Sequence, residues 1–287
     1  MDDHRDREAL LSRGWCRFPF DPELAAWVAA VLPRARAIAA DPANRTAWLR
    51  SGGSWFAGVN VLTNAADGSM PAIDGLPAIP PLTGQAMRFL REMMGFGDLP
   101  LDTGQLSICY PGYPAAPQPE ESEAAFRYRR DRDAAHLDGL ERDAARNRRL
   151  SEAHAFILGI PISDPPPEAA PFTIWEGSHE ILRRAFHQRL HALPAQAWCT
   201  EDITATYVAA RRQIFAECKR VTLPARAGEA YVAHRLSLHG MAPWPPETHQ
   251  RGVEGQAEDW RPIVYFRPEL PKLSDGTTDF ERWLNEP

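Results

Sequence analysis

Cysteine is scarce and scattered in this chain of 287 residues: Cys16, Cys109, Cys199 and Cys218 are its whole complement, and no two form a CxxC pair. That spacing excludes a disulfide frame and a ribbon-type zinc site, and reads as reduced thiols in a cytoplasmic protein. Long apolar runs are missing too. None approaches the roughly 20 residues of a membrane-spanning helix, so no membrane partner is expected. The opening stretch MDDHRDREALLSRG lacks the apolar centre of an export signal. Charge is nearly balanced, with a net value of −6, which excludes the basic footprint of a general nucleic-acid binder. Internal repeats and a Gly/Ser-rich linker are absent as well.

Proline, by contrast, is abundant at 27 residues, where roughly 5% of a chain is usual. It falls mainly between short apolar runs, the pattern of a loop-rich β protein, and a chain this long can bury a large core. The first third mixes helix and loop. Asp21 reads as an N-cap, with Pro22 at the first position of a helix reaching Ala40. Helical spacing also covers Glu8 to Ser12, and Thr83 to Met94 with Gly95 as its stop. WCRFPF and WFAGVNVL (Trp55 to Leu62) read as strands. From residue 104 the pattern predicts short strands at 105–110, 134–139, 154–162, 171–175, 229–234, 236–240 and 261–267, with a helical stretch from about Glu180 to Lys219. The expected class is mainly β with flanking helices. We expect a single domain over 1–287, with a helical N-terminal part at about 1–100 and a core barrel at about 100–270.

His136-Leu137-Asp138 is the informative tripeptide. In a strand, side chains at i and i+2 leave the same face, so an imidazole and a carboxylate point together into a barrel while Leu137 turns away. Two such ligands hold a metal weakly, and His239, in LSLHGM, offers a third. Two histidines and one carboxylate make a facial set that leaves positions open for a co-substrate and oxygen. If His239 closes its strand and Arg261 opens the next, both fall at one end of an antiparallel barrel. A guanidinium there can clamp a carboxylate with two parallel hydrogen bonds. Arg267 is then expected at the opposite end, roughly 20 Å away at a strand's rise per residue.

With HLD, WEGSH (Trp175 to His179), LHG and the arginine of RPIVYFR in this order, the chain over roughly residues 100–270 resembles the phytanoyl-CoA dioxygenase family. The resemblance implies a double-stranded β-helix, or jelly roll, and an iron(II)- and 2-oxoglutarate-dependent oxygenase. It implies that His136, Asp138 and His239 hold the iron and that Arg261 holds the distal carboxylate of 2-oxoglutarate. Gln105, on the strand before the HxD segment, is implied as a further co-substrate contact. The implied reaction couples oxidative decarboxylation of 2-oxoglutarate by O2 to attack on a small-molecule substrate. Because Asp138 supplies a carboxylate, no position is freed for halide, so hydroxylation is expected rather than halogenation.

The sequence departs from the family pattern at three places. The usual PGSH reads Glu176-Gly177-Ser178-His179, Met241 stands where a small polar residue is usual, and the polar segment 245–259 lengthens the interval between His239 and Arg261. Plain spacing from His239 would choose Arg251; Arg261 is preferred because it opens an apolar strand. Two other readings stay open. One is a cupin-like metalloenzyme that uses no 2-oxoglutarate and needs no clamp. The other is a jelly-roll binding protein without turnover.

His179 and His234 read as packed or loop histidines rather than ligands. The stretch 127–149 holds eight arginines around the HLD motif, interleaved with Asp131, Asp133, Glu141 and Asp143. It reads as a solvated, salt-bridged surface, with a positively charged lid toward an anionic substrate as the alternative.

Overall fold

The structure, a computed structural model, describes residues 3–73, 75–115, 122–245, 260–276 and 278–286. Its strands are β1 (Trp15–Phe18), β2 (Leu49–Arg50), β3 (Trp55–Gly58), β4 (Gln105–Cys109), β5 (Leu140–Arg142), β6 (Arg148–Leu150), β7 (Phe156–Pro161), β8 (Phe172–Trp175), β9 (Arg220–Leu223), β10 (Ala230–His234), β11 (His239–Met241) and β12 (Arg261–Phe266). Its α-helices are α1 (Asp3–Arg13), α2 (Pro22–Ala40), α3 (Pro42–Trp48), α4 (Gln85–Arg88), α5 (Glu123–Arg132), α6 (Ser178–Leu190), α7 (Thr204–Glu217) and α8 (Phe280–Asn285).

Two antiparallel sheets face each other. The larger runs β1-β10-β7-β12-β4-β3-β2 and the smaller β11-β8-β9, with β5 and β6 as a separate hairpin. The sequence partition is period two. Ile157, Tyr231, Ala233 and Ile263 from the large sheet meet Phe172, Ile174 and Leu223 from the small one between the layers. Their neighbours Phe156, Leu158, Ile160, Val232, Val264 and Phe266 join a second core outside the barrel, with α2, α6 and α7. Burial on both faces explains why these strands read as continuous apolar runs rather than alternating ones. This is the expected jelly roll. Among the described residues no helix is long and apolar enough to cross a membrane.

Helix α2 follows its sequence signals. The Asp21 carboxylate accepts from the Glu23 amide at 2.9 Å and also from the Gln85 amide at 2.6 Å, so one side chain caps α2 and α4 together. Leu24, Trp27, Val28 and Val31 are its buried stripe. The helix expected over Thr83 to Met94 is shorter, an α turn followed by a π turn at Phe89–Met93. Strands from the first third do more than precede the barrel: β1 pairs with β10 and β3 with β4, extending the large sheet on both sides.

One glycine is demanded by close approach. A Cβ on Gly159 would lie 2.3 Å from ring atoms of Tyr231 on the neighbouring strand. Gly159→Ala is therefore expected to destabilise the fold by about 1–3 kcal/mol through overpacking, read from the midpoint of urea unfolding.

Candidate metal centre

The structure brings His136, Asp138 and His239 together, with one ligand atom from each lying within 4.8 Å of the others. Backbone pairing does this. The His136 amide donates to the His239 carbonyl at 2.8 Å and the His239 amide donates back at 3.0 Å. The HxD segment is thus a one-residue bridge at the edge of the small sheet rather than the strand expected over 134–139. Directly opposite residues put both rings on one side, with centroids 4.5 Å apart, and Asp138 follows at i+2.

The approach to this bridge is tight. A Cβ on Gly240 would sit 2.2 Å from the Asp133 carbonyl oxygen, which gives the HG pair of LHGM a steric cause. Asp133 and Ala134 both adopt left-handed backbone, with φ of 53° and 52°, a cost of order 1 kcal/mol for each non-glycine residue. The turn is held by the Met241 amide donating to the Asp133 carbonyl at 2.9 Å, and by Arg220, whose Nη2 donates to the Asp133 carboxylate at 3.0 Å.

The donor set fits a divalent cation. His136 Nδ1 lies 3.0 Å from the Ala134 carbonyl, and His239 Nδ1 lies 3.0 Å from the Ser237 carbonyl. A carbonyl can only accept, so both Nδ1 atoms carry protons, and Nε2 is the atom each ring turns toward the cluster. Those Nε2 atoms lie 3.3 and 3.5 Å from the two oxygens of Asp138. Metal–ligand bonds of about 2.0–2.2 Å at right angles place donors roughly 3 Å apart. Burial opposes ionisation of Asp138, but Arg267, His239 and His136 outweigh it and hold the carboxyl well below its usual range.

These residues open on a cavity of about 210 Å³ inside the barrel, also lined by Trp55, Gln105, Phe172, Met241, Tyr265 and Arg267. Phe172 stacks on His239 with centroids 5.4 Å apart. His136 is half exposed, its side chain retaining 53% of its accessible surface, whereas His239 retains 6%. The solvent side of the cavity is therefore the His136 side.

Arg261, which opens β12, and Arg267, which follows it, exchange the places expected for them. Arg267, expected at the far end, has Nη1 3.1 Å from Asp138 Oδ2 and Nη2 2.9 Å from Gln105 Oε1. The cause is local. A turn at 235–238 delays the strand, so His239 opens β11 instead of closing its predecessor. Arg261 lies on the other side of Met241, whose sulfur is 3.3 Å from Arg261 Nη1, and lines a second cavity with Pro171, Leu223 and Ile263. It is buried, with Tyr265 as a further hydrogen-bond partner, and among the described residues no carboxylate pairs with it. Cys109 Sγ also lies 3.1 Å from the Met241 sulfur, and burial pushes this thiol up to about 12. It stays protonated and does not compete for a metal. Gln105 is at the metal end beside Arg267. Arg251 lies outside the described residues.

Arg267, Tyr265 and Phe172 were missed as cavity residues by sequence reasoning. The signal for the first two is period two on β12, since 261, 263, 265 and 267 share a face. His179 is not in the cluster: its Nε2 lies 2.9 Å from the Leu11 carbonyl and its ring packs against His234.

No protein-family model and no curated protein matches the chain. Among solved structures, the non-haem α-ketoglutarate-dependent epimerase SnoN from nogalamycin biosynthesis is 15% identical, covering 92% of this chain and 80% of its own at a TM-score of 0.41. EctD from S. alaskensis with bound Fe is 12% identical, with coverages of 92% and 75% and a TM-score of 0.43. HygX from Streptomyces hygroscopicus, with nickel, 2-oxoglutarate and hygromycin B bound, is 11% identical, with coverages of 95% and 93% and a TM-score of 0.41. Likeness at this level carries no argument about this chain. Its own residues define a jelly-roll barrel with a two-histidine, one-carboxylate cluster.

Proposed function

We propose that the chain is a cytoplasmic, single-domain iron(II)- and 2-oxoglutarate-dependent oxygenase that hydroxylates a small molecule, built on the phytanoyl-CoA dioxygenase pattern. The observation that carries this reading is the juxtaposition, across Met241, of the His136–Asp138–His239 cluster and a buried guanidinium with no carboxylate partner among the described residues. A buried cation without an anion is costly. A dicarboxylate chelating at the cluster and reaching past Met241 supplies that anion.

Iron(II) in this ligand set would offer open positions to the 2-oxo acid and to O2. The chain's own residues do the rest. Arg261 binds the distal carboxylate and fixes which end of the co-substrate faces the cluster. Tyr265 carries a hydroxyl on the same face, 2.8 Å from that of Tyr231. Arg267 and Gln105 orient Asp138. Phe172 and Trp55 wall the cavity against water, and the exposed side of His136 leaves the approach for substrate.

Anaerobic calorimetry of 2-oxoglutarate into the iron(II)-loaded chain tests this, with succinate release measured after air is admitted. Binding that requires the metal, followed by slow succinate release, is the expected result. A loaded chain that neither binds 2-oxoglutarate nor releases succinate overturns the reading in favour of a cupin-like or non-catalytic barrel.

A further inference from the structure

Six of the eight arginines of the 127–149 stretch sort by their partners. Arg127 pairs with Glu123, Arg130 with Asp131 and Arg149 with Asp143, while Arg132 lies over the ring of Phe215. These belong to the interleaved surface that the sequence predicts. Arg142 and Arg148 do not. They stand directly opposite each other on the β5–β6 ladder, and among the described residues neither meets a carboxylate. Like charges directly across a ladder destabilise it.

A third cation completes the group. Arg211, on α7, lies 5.1 Å from the ring centre of Tyr128 and 5.4 Å from that of Tyr207, and Arg148 lies 4.8 Å from that of Tyr207. Arg211 also has no carboxylate partner among the described residues. Burial, and then Arg142 and Arg211, pull the Arg148 guanidinium down from its ordinary value, against the opposing effect of Tyr207. The rings that carry these cations are held in place. The Tyr128 hydroxyl donates to the Ala135 carbonyl at 2.6 Å, and Tyr207 is hydrogen-bonded to the backbone of Leu137. The cradle therefore backs onto residues 135–137 from the side that Leu137 faces, away from the metal cluster.

We propose that Arg142, Arg148 and Arg211 bind a phosphate group, free or esterified to a small molecule, behind the segment that carries His136. Three guanidinium forks, two of them on rigid aromatic supports, match a tetrahedral oxyanion that has three exposed oxygens and nearly two negative charges. Placing such an anion among them removes the repulsion across the ladder. The site is separate from the metal cavity and stands whether or not the chain is an oxygenase.

The test uses the full chain freed of metal by a chelator, so that phosphate cannot bind through iron. Calorimetry at low ionic strength compares inorganic phosphate with phenyl phosphate. Saturable binding of either supports the site; a tighter ester marks a phosphorylated small molecule as the occupant, and a tighter free ion marks phosphate itself. Arg148→Gln/Arg211→Gln is expected to weaken binding by about tenfold or more, while Arg127→Gln/Arg130→Gln changes it by less than about twofold. Should the first double variant fail to fold, exposed Arg142 carries the test alone. Arg142→Gln is expected to melt higher than the parent without phosphate and to lose the rise in melting temperature that phosphate gives the parent. No saturable binding by the parent, or equal weakening in both double variants, overturns the proposal.

Discussion

His239→Ala is expected to lower iron(II) affinity by more than about a hundredfold, because changing groups that only orient a metal ligand already costs about ten- to a hundredfold. The substitution removes one of two Nε2 donors and leaves His136 and Asp138, a pair that the exposed position of His136 does little to rigidify. Among the described residues no other imidazole joins the cluster, and His179 and His234 pack against each other elsewhere. The backbone bonds that join 136 to 239 do not involve the ring, and the missing side chain faces a cavity that already exists. The fold should therefore survive. Metal analysis after dialysis, with circular dichroism as the folding control, reads both halves of the expectation. Full iron occupancy in a folded His239→Ala protein would remove His239 from the ligand set.

The cluster was legible in the sequence because its determinants are local. An i, i+2 pair and an HG after an apolar run need only strand geometry and one glycine forced by close approach. Helix α2 was legible for the same reason, since Asp21 and Pro22 fix its start without help from the rest of the fold. The depth of the two arginines was not. It depends on where β11 begins, and the turn before His239 is made by ordinary residues through one local and one tertiary bond. The Leu236 amide donates to His234 Nδ1, and the Leu238 amide to the Ser178 hydroxyl, at 3.1 and 2.9 Å. A slip of a few residues in a short strand moved the metal from the Arg261 end to the Arg267 end. The cations of 142, 148 and 211 were hidden differently. Sequence shows which acids are interleaved with the arginines but not which arginines they reach, and Arg211 comes from a helix far along the chain.

Arg261 and Arg267 should then separate by what they lose. Arg261→Ala is expected to raise the 2-oxoglutarate dissociation constant roughly a hundredfold, the loss of a bidentate charge-assisted contact worth about 3 kcal/mol, while iron binding stays within about threefold of the parent, since no contact recorded for Arg261 reaches a ligand. Arg261→Lys keeps the charge without the fork and should recover only part of the loss. Arg267→Ala should do the reverse. It frees Asp138 from its ion pair at 3.1 Å and leaves Gln105 without its donor. Metal affinity is then expected to fall about tenfold, as for other groups that orient a ligand. At saturating iron, its 2-oxoglutarate affinity should change little. Parallel titrations of metal and co-substrate in the three variants separate the roles. A hundredfold loss of 2-oxoglutarate affinity in metal-saturated Arg267→Ala, with Arg261→Ala unaffected, would move the clamp to the mouth of the cavity. Loss in neither variant but in Arg251→Ala would place it in the polar segment after Trp244.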